Sequence, residues 1–200
     1  MIRRQFVAAA ALLAAGGAAA CATDGPTGPA PVTTAAGPAA TPHLWAAPIA
    51  PVVLNGVRWT AGVAPAVVSR VIGPAGGTLS IANGIRVTVP RGAVATNVQF
   101  SVKRMPGIVV AYDFQPHGTR FAVPVVIEHP LAGTNARQIP ADAGIQGAYF
   151  PNDAALNQTA GTASVTEFRP TSVSVDKGWV KFTVDHFSGY VVGWSRTRYR

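Results

Sequence analysis

The chain has few of the residues that catalytic and membrane-spanning proteins rely on. Cysteine occurs once in 200 residues, at Cys21, and Asp and Glu together number only 8. A single cysteine excludes an internal disulfide and a cysteine-pair metal site. No apolar stretch free of charges and breakers reaches the roughly 18 residues that a membrane-spanning helix needs. These absences exclude a helical membrane bundle.

Common catalytic and ligand-binding motifs are missing as well. The sequence contains no phosphate-binding Gly-Lys-Ser/Thr loop, no Gly-x-Ser-x-Gly elbow, no His-x-x-x-His pair and no calcium loop. Asp113, Glu128 and His129 could converge on a metal, although solvated or paired side chains are the ordinary state of such residues. We therefore expect no cofactor, no metal and no enzymatic activity.

The first 20 residues have the layout of a secretory signal peptide. A basic start, Met1–Arg4, precedes a short apolar segment, Phe6–Ala15, and a run of small residues. The end of that run, Ala18-Ala19-Ala20-Cys21, resembles a bacterial lipoprotein box, which implies a lipid on Cys21 that anchors the protein to a membrane. By the same resemblance, Ala22 implies sorting to the outer membrane of the cell envelope. Export as a soluble periplasmic or secreted protein is the alternative.

Residues 21–65 are rich in Pro and Ala and are expected to form a tether, since they have too little apolar surface to build a core. The apolar run Val52-Val53-Leu54 could still dock on the domain that follows. The last six residues, 195–200, form a basic tail with three arginines. Because this tail and Arg3-Arg4 account for much of the net charge of +8, we predict no nucleic-acid binding.

Between residues 66 and 194, short runs of Val, Ile, Thr and aromatic residues alternate with Gly, Pro and Asn. This pattern predicts an all-β sandwich of roughly nine to eleven short, mostly antiparallel strands. Asn83-Gly84 and Lys177-Gly178 are predicted hairpin turns, and Pro124 indicates an edge or a bulge. The segment 129–144 is expected to be a loop or a short helix. The predicted strands are 66–72, 78–81, 85–89, 97–105, 108–114, 121–128, 146–150, 162–168, 171–176, 179–184 and 189–194.

Three segments together resemble the ZU-five domain of ankyrins, netrin receptors and a zonula occludens protein. They are Gly76–Leu79 with Val87–Ala93, then Pro116–Val125, and finally His186–Tyr190. The resemblance covers about residues 71–194 and implies a β-sandwich that serves as a protein-interaction module. Its motif residues are Gly76, Gly77, Pro90, Gly92, Pro116, Gly118, Phe121, Pro124, His186, Phe187 and Ser188.

The third segment also carries a chemical implication. In death-domain and inflammasome proteins with similar domains, a His-Phe-Ser triplet cleaves itself between Phe and Ser. Carried to this chain, the Ser188 hydroxyl would attack the Phe187 carbonyl, with His186 as the base. The opposing interpretation is structural: His186 bonds within a turn, Phe187 fills the core and Ser188 bends the chain into the last strand. Asp185 is not expected to orient His186, because neighbours on a strand point to opposite faces.

The sequence therefore predicts a cell-envelope lipoprotein that displays a non-enzymatic β-sandwich as an interaction or structural module. Its partners would be the membrane, through Cys21, and an unidentified protein or envelope polymer. The alternative is a self-cleaving domain that is cut between Phe187 and Ser188. A third possibility is a carbohydrate- or peptidoglycan-binding module, for which Trp179 and Trp194 would have to share an exposed groove.

Overall fold

The computed structural model describes residues 50–175 and 178–197. The predicted signal peptide, Cys21, most of the tether, Lys177 and the last three residues lie outside this part of the chain. No helix among the described residues is long and apolar enough to cross a membrane.

The described chain is a sandwich of two antiparallel β-sheets, which confirms the predicted fold class. Of the 14 strands, nine form the first sheet and five the second. The strands are β1 Val52–Gly56, β2 Ala66–Ile72, β3 Gly77–Ser80, β4 Arg86–Val89, β5 Val98–Arg104, β6 Ala111–Gln115, β7 Arg120–Pro130, β8 Gly144–Phe150, β9 Leu156–Asn157, β10 Thr162–Val165, β11 Glu167–Phe168, β12 Thr171–Ser174, β13 Trp179–His186 and β14 Gly189–Ser195.

The first sheet runs β2-β5-β6-β14-β1-β10-β9, and β8 pairs with the other edge of β14 and with β11. The second sheet runs β12-β13-β7-β4-β3. Each sheet places alternate residues inward, as in Val180, Phe182 and Val184 of β13, so the main core lies between the sheets. A smaller core around Leu54 and Phe150 covers part of the opposite face of the first sheet.

One predicted turn and one predicted loop segment have the expected form. The Asn83-Gly84 turn joins β3 to β4, and Asn83 has a φ of 52°, a value that asparagine tolerates better than most residues. The segment 129–144 holds one short 3-10 helix, Asn135–Gln138, which begins after Thr134 because the threonine hydroxyl accepts a hydrogen bond from the Ala136 amide.

The folded region starts earlier than residue 66. Val52–Gly56 forms β1, which pairs with β10 on one side and with β14 on the other. Leu54, in the middle of this strand, is fully buried. The C-terminal part of the predicted tether is therefore a strand of the first sheet, in which the buried Leu54 and Gly56 alternate with the exposed Val53 and Asn55.

The strand count is also higher than predicted. The expected strand 162–168 divides into β10 and β11, while β1 and the two-residue β9 have no predicted counterpart. After β11, the chain turns at Arg169-Pro170 and enters the second sheet as β12, so one continuous segment joins the two sheets. This corner contributes to the candidate site.

Candidate functional site

The His-Phe-Ser triplet lies where the chain leaves the second sheet and enters the first, between β13 and β14. Phe187 is fully buried. Its ring centroid lies 4.8 Å from that of Phe121, 4.9 Å from Phe100 and 5.2 Å from Phe114. Aromatic rings in such tilted and edge-to-face arrangements add to the stability gained from burial alone. Phe187 thus anchors the sheet-to-sheet connection in the core.

The backbone of the triplet is held by the loop that precedes β7. The Phe187 amide donates to the Thr119 carbonyl at 2.9 Å, and the Gly118 amide donates to the Phe187 carbonyl at 3.0 Å. Gly118 has a φ of 76°, which a residue with a side chain rarely adopts. The turn at Pro116–Thr119 thus brings an N–H donor to the carbonyl at which the triplet would be cleaved.

Four side chains surround His186 at the corner between the sheets. Together with His186 they form what we call the corner cluster: Glu167, Arg169, Asp185, His186 and Tyr190. Arg169 pairs with Glu167, and its Nη2 lies 2.9 Å from Asp185 Oδ1. His186 Nε2 lies 3.3 Å from Glu167 Oε2 and 3.7 Å from Asp185 Oδ1. Tyr190 donates its hydroxyl to the His186 carbonyl at 2.8 Å. Every member therefore has a partner within the cluster.

Asp185 and His186 lie at an irregularity in the pairing of β13 with β7. Val184 pairs with Val125, whereas His186 pairs with Arg120, so the register between β13 and β7 shifts between these residues. A bulge interrupts the alternation of side chains between the two faces of a strand. Asp185 Oδ1 therefore lies 3.7 Å from His186 Nε2, although no hydrogen bond from Asp185 orients the ring. Pro124 lies on the β7 side of this irregularity, which agrees with the predicted bulge.

Burial and charge act in opposite directions in the corner cluster. Burial by itself would raise the pKa of Glu167, but the hydrogen bond from His186 and the Arg169 charge outweigh it and hold that pKa below its ordinary value. Burial raises the pKa of Tyr190 well above its ordinary value, so its hydroxyl stays protonated and can donate. Arg169 is almost fully buried, and its Nε also donates to the Thr183 carbonyl, which fixes the guanidinium in position.

The ligand-type atoms of Glu167, Asp185 and His186 lie within 4.8 Å of one another. Carboxylate oxygens with an imidazole nitrogen would suit a divalent cation such as Zn²⁺. The Arg169 guanidinium, however, forms an ion pair with each carboxylate and supplies the compensating positive charge itself. The arrangement is that of an arginine-centred ion cluster. Glu167 and Arg169 were not predicted as site residues, because only the corner between β11 and β12 brings them to β13.

The structure does not pair the serine of the triplet with its expected base. The His186 ring is hydrogen-bonded to Glu167 and Tyr190, and its Nε2 lies 3.7 Å from Asp185 Oδ1. Among the described residues the Ser188 side chain makes no hydrogen bond to His186, and Ser188 is only 9% exposed. Activation of a serine hydroxyl requires a base within hydrogen-bonding reach. The contacts of the triplet are therefore those of the structural interpretation, apart from the Gly118 donor on the Phe187 carbonyl.

The glycines of the first motif segment lie at turns or at close contacts of the backbone. Gly76 has a φ of 79°, and a Cβ there would lie 2.5 Å from the Val89 carbonyl oxygen, so only glycine fits. Gly92 also has a positive φ and lies within the turn after β4, which the hydrogen bond from the Ala93 amide to the Pro90 carbonyl closes. Gly77 starts β3 with a negative φ, and a Cβ there would lie within 3.3 Å of Ile72.

The three residues considered for a metal do not come together. Asp113 pairs with His117, with 2.5 Å between Oδ1 and Nε2, and Glu128 pairs with Lys181 at 3.2 Å. His129 is fully buried between the sheets, where its Nε2 lies 3.0 Å from the Tyr112 hydroxyl. Burial, reinforced by the Arg104 charge, lowers the pKa of His129 to about 3.

The two tryptophans considered for a sugar platform belong to different sheets. Trp179 begins β13 in the second sheet, opposite Ser174 and Pro130. Trp194 lies near the end of β14 in the first sheet and packs against the main core. A shallow depression near Leu131 and Val175 is lined by neither tryptophan. The geometry therefore offers no shared aromatic groove for a sugar.

Comparison with models of known protein families and with curated proteins finds no match for this chain. The resemblance to the ZU-five domain therefore stays a prediction from the residues.

Proposed function

We propose that the protein is a cell-envelope lipoprotein, acylated on Cys21, that displays its β-sandwich as a non-enzymatic interaction or structural module. The observation that supports this best is how the His-Phe-Ser segment is used. Phe187 is packed among three aromatic rings, and His186 belongs to an ion cluster that joins the two sheets. The residues whose side chains would be best suited to catalysis thus stabilise the domain.

The lipid anchor rests on the N-terminal sequence. A basic start, an apolar segment and a run of small residues lead directly to Cys21, the sole cysteine of the chain. Between that cysteine and β1, which starts at Val52, about 30 residues rich in Pro and Ala separate the anchor from the domain. Such a composition suits a spacer that holds a domain away from a membrane surface.

Self-cleavage between Phe187 and Ser188 is the second candidate, and one contact favours it. The Gly118 amide donates to the Phe187 carbonyl at 3.0 Å, and a donor at this position would stabilise the oxyanion that forms when Ser188 attacks. The base is lacking, since the His186 ring is bonded to Glu167 and Tyr190. Cleavage would need His186 to leave the corner cluster, so we rank this function second.

The intact mass of the exported protein separates these candidates. The protein is extracted with detergent and fully denatured before analysis, because a cleaved strand would stay hydrogen-bonded within the sheet. A single species that starts at Cys21, carries added acyl mass and ends at Arg200 is the expected result. A main species ending at Phe187 that disappears in Ser188→Ala would make self-cleavage the function. An unmodified chain that starts at Cys21 would refute the anchor.

A further inference from the structure

The first sheet ends in an open edge. β2 pairs with β5 along all seven of its residues, from Ala66 to Ile72. Within residues 50–175 and 178–197, no strand pairs with the other side of β2, and no backbone group of the strand is hydrogen-bonded there. An edge with unpaired N–H and C=O groups is a ready template for an added strand.

The open edge carries apolar side chains that the domain itself does not cover. Val67 and Val71 are 63% and 59% exposed, among the highest values for large apolar residues in the described chain. Because they are four residues apart on one strand, they lie on the same face of the sheet. A strand added at this edge could cover both valines with apolar residues at alternate positions.

The edge is also positively charged. No Asp or Glu occurs between residues 25 and 112, and therefore none occurs in β1 to β5. Arg70 is exposed on β2 and donates from Nη1 to the Thr78 carbonyl at 2.9 Å, which holds its guanidinium beside the open edge. Lys103, the residue of β5 that pairs with Val67, is exposed too. Its neighbour Asp113 is already paired with His117.

These observations favour one kind of occupant. Unpaired backbone groups call for a polypeptide, two exposed valines for alternating apolar residues, and a basic surface without carboxylates for acidic residues. A second copy of this chain would bring an equally basic edge, so like charges would oppose that pairing. A partner with acidic side chains would gain from the same charges.

We propose that the open edge of β2 docks an extended acidic segment of a partner protein, which adds to the first sheet as a further strand. Apolar side chains of this segment cover Val67 and Val71, and its acidic side chains, on the other face, meet Arg70. This site deepens the proposed function, since it rests on the domain being displayed for interactions and names the surface and the chemistry of the partner.

The test is a binding titration of the full-length exported protein in detergent. The probe is a fluorescent ten-residue peptide in which Val and Glu alternate, and binding is followed by anisotropy. We expect saturable binding that weakens at least tenfold in the double variant Val67→Lys, Val71→Lys. The matched control is Val53→Lys, which adds a lysine at a position 69% exposed on β1 and should bind like the wild type. Since added lysines attract an acidic peptide, weaker binding by the double variant can arise only from a loss of docking.

Two further probes examine the components of the proposal. Arg70→Glu is expected to weaken the Val–Glu peptide at least tenfold while leaving a Val–Lys peptide no weaker than before. A Val–Glu peptide methylated on alternate backbone nitrogens cannot pair as a strand, and at least a fivefold loss is expected.

Equal binding of the Val–Lys and Val–Glu peptides by the wild type would overturn the acidic specificity. Sedimentation that shows a wild-type dimer, lost in the double lysine variant, would assign the edge to self-association and overturn the partner proposal. Absence of any peptide binding would overturn the site. None of these results changes the intact mass, so the lipoprotein proposal would stand or fall separately.

Discussion

Lowering the pH should destabilise this protein through one buried histidine. His129 is fully buried in β7, with Tyr112 bonded to its Nε2. In the unfolded chain its pKa is near 6.5, whereas burial and the Arg104 charge lower it to about 3 in the folded protein. Between these two values the unfolded chain binds a proton that the folded protein does not. The free energy of unfolding therefore falls as the pH falls below 6.5.

The size of this effect follows from the separation of the two pKa values. Each pH unit between them changes the free energy of unfolding by about 1.4 kcal/mol. Between pH 7.5 and pH 5 the loss is about 2 kcal/mol, a large part of the stability of a small domain. Glu167, whose folded pKa is also lowered, stabilises the fold above its ordinary pKa of 4.5 and adds to the loss only at lower pH. The interval from pH 7.5 to pH 5 therefore separates the effect of His129 from that of Glu167.

Urea unfolding of residues 21–200 with Cys21→Ser, which removes the acylation site, measures the effect without detergent. His129→Gln keeps a group that can bond to Tyr112 but cannot bind a proton, so its stability should change little across this interval. His117→Gln is the matched control, because His117 lies on the surface with its side chain 52% exposed. A full pH response in His129→Gln, or its loss in His117→Gln, would refute the assignment to the buried histidine.

Three further predictions, two of them with a matched control substitution, probe the site and its supports by the same urea unfolding. Phe187→Ala should lower the free energy of unfolding by about 3–5 kcal/mol, as for other buried phenylalanines, whereas Ser188→Ala should cost less than about 1 kcal/mol; equal effects would contradict the packing role of Phe187. Arg169→Leu should cost about 3–5 kcal/mol, since it leaves the buried Asp185 and the partly buried Glu167 without their cation, and a neutral outcome would mean that the corner cluster contributes no stability. Gly76→Ala should destabilise by more than about 1 kcal/mol because of its positive φ, while Gly62→Ala, where a Cβ meets nothing within 4 Å, should be neutral.

The sequence predicts the positions of most strands in this protein but not how many strands there are. Alternation in 85–89 and the Asn83-Gly84 turn identify the β3–β4 hairpin because both signals are local. β1 is missed, since its signal is three apolar residues in a proline-rich segment, and its partners β10 and β14 lie more than 100 residues away. Pairing over such distances leaves no mark in a single sequence.

The candidate site shows the same limit. His186, Phe187 and Ser188 are adjacent in the sequence and are readily selected, and the burial of Phe187 agrees with the structural interpretation. Glu167 and Arg169 cannot be assigned to the site from the sequence, because their approach to His186 depends on the corner between β11 and β12. The contact of Asp185 with His186 occurs where the register between β13 and β7 shifts, and the periodicity of a single strand does not predict such a shift.

The pairing of β1 with β14 and β10 has a mechanical consequence. With the anchor proposed at Cys21, a pull on the displayed domain would reach it through Val52, the first residue of β1. That strand is flanked by β10 and by the last strand, β14, so the load would fall on two ladders of hydrogen bonds near the middle of the first sheet. The domain would resist the pull as a unit, since detaching β1 would expose Leu54 and its core.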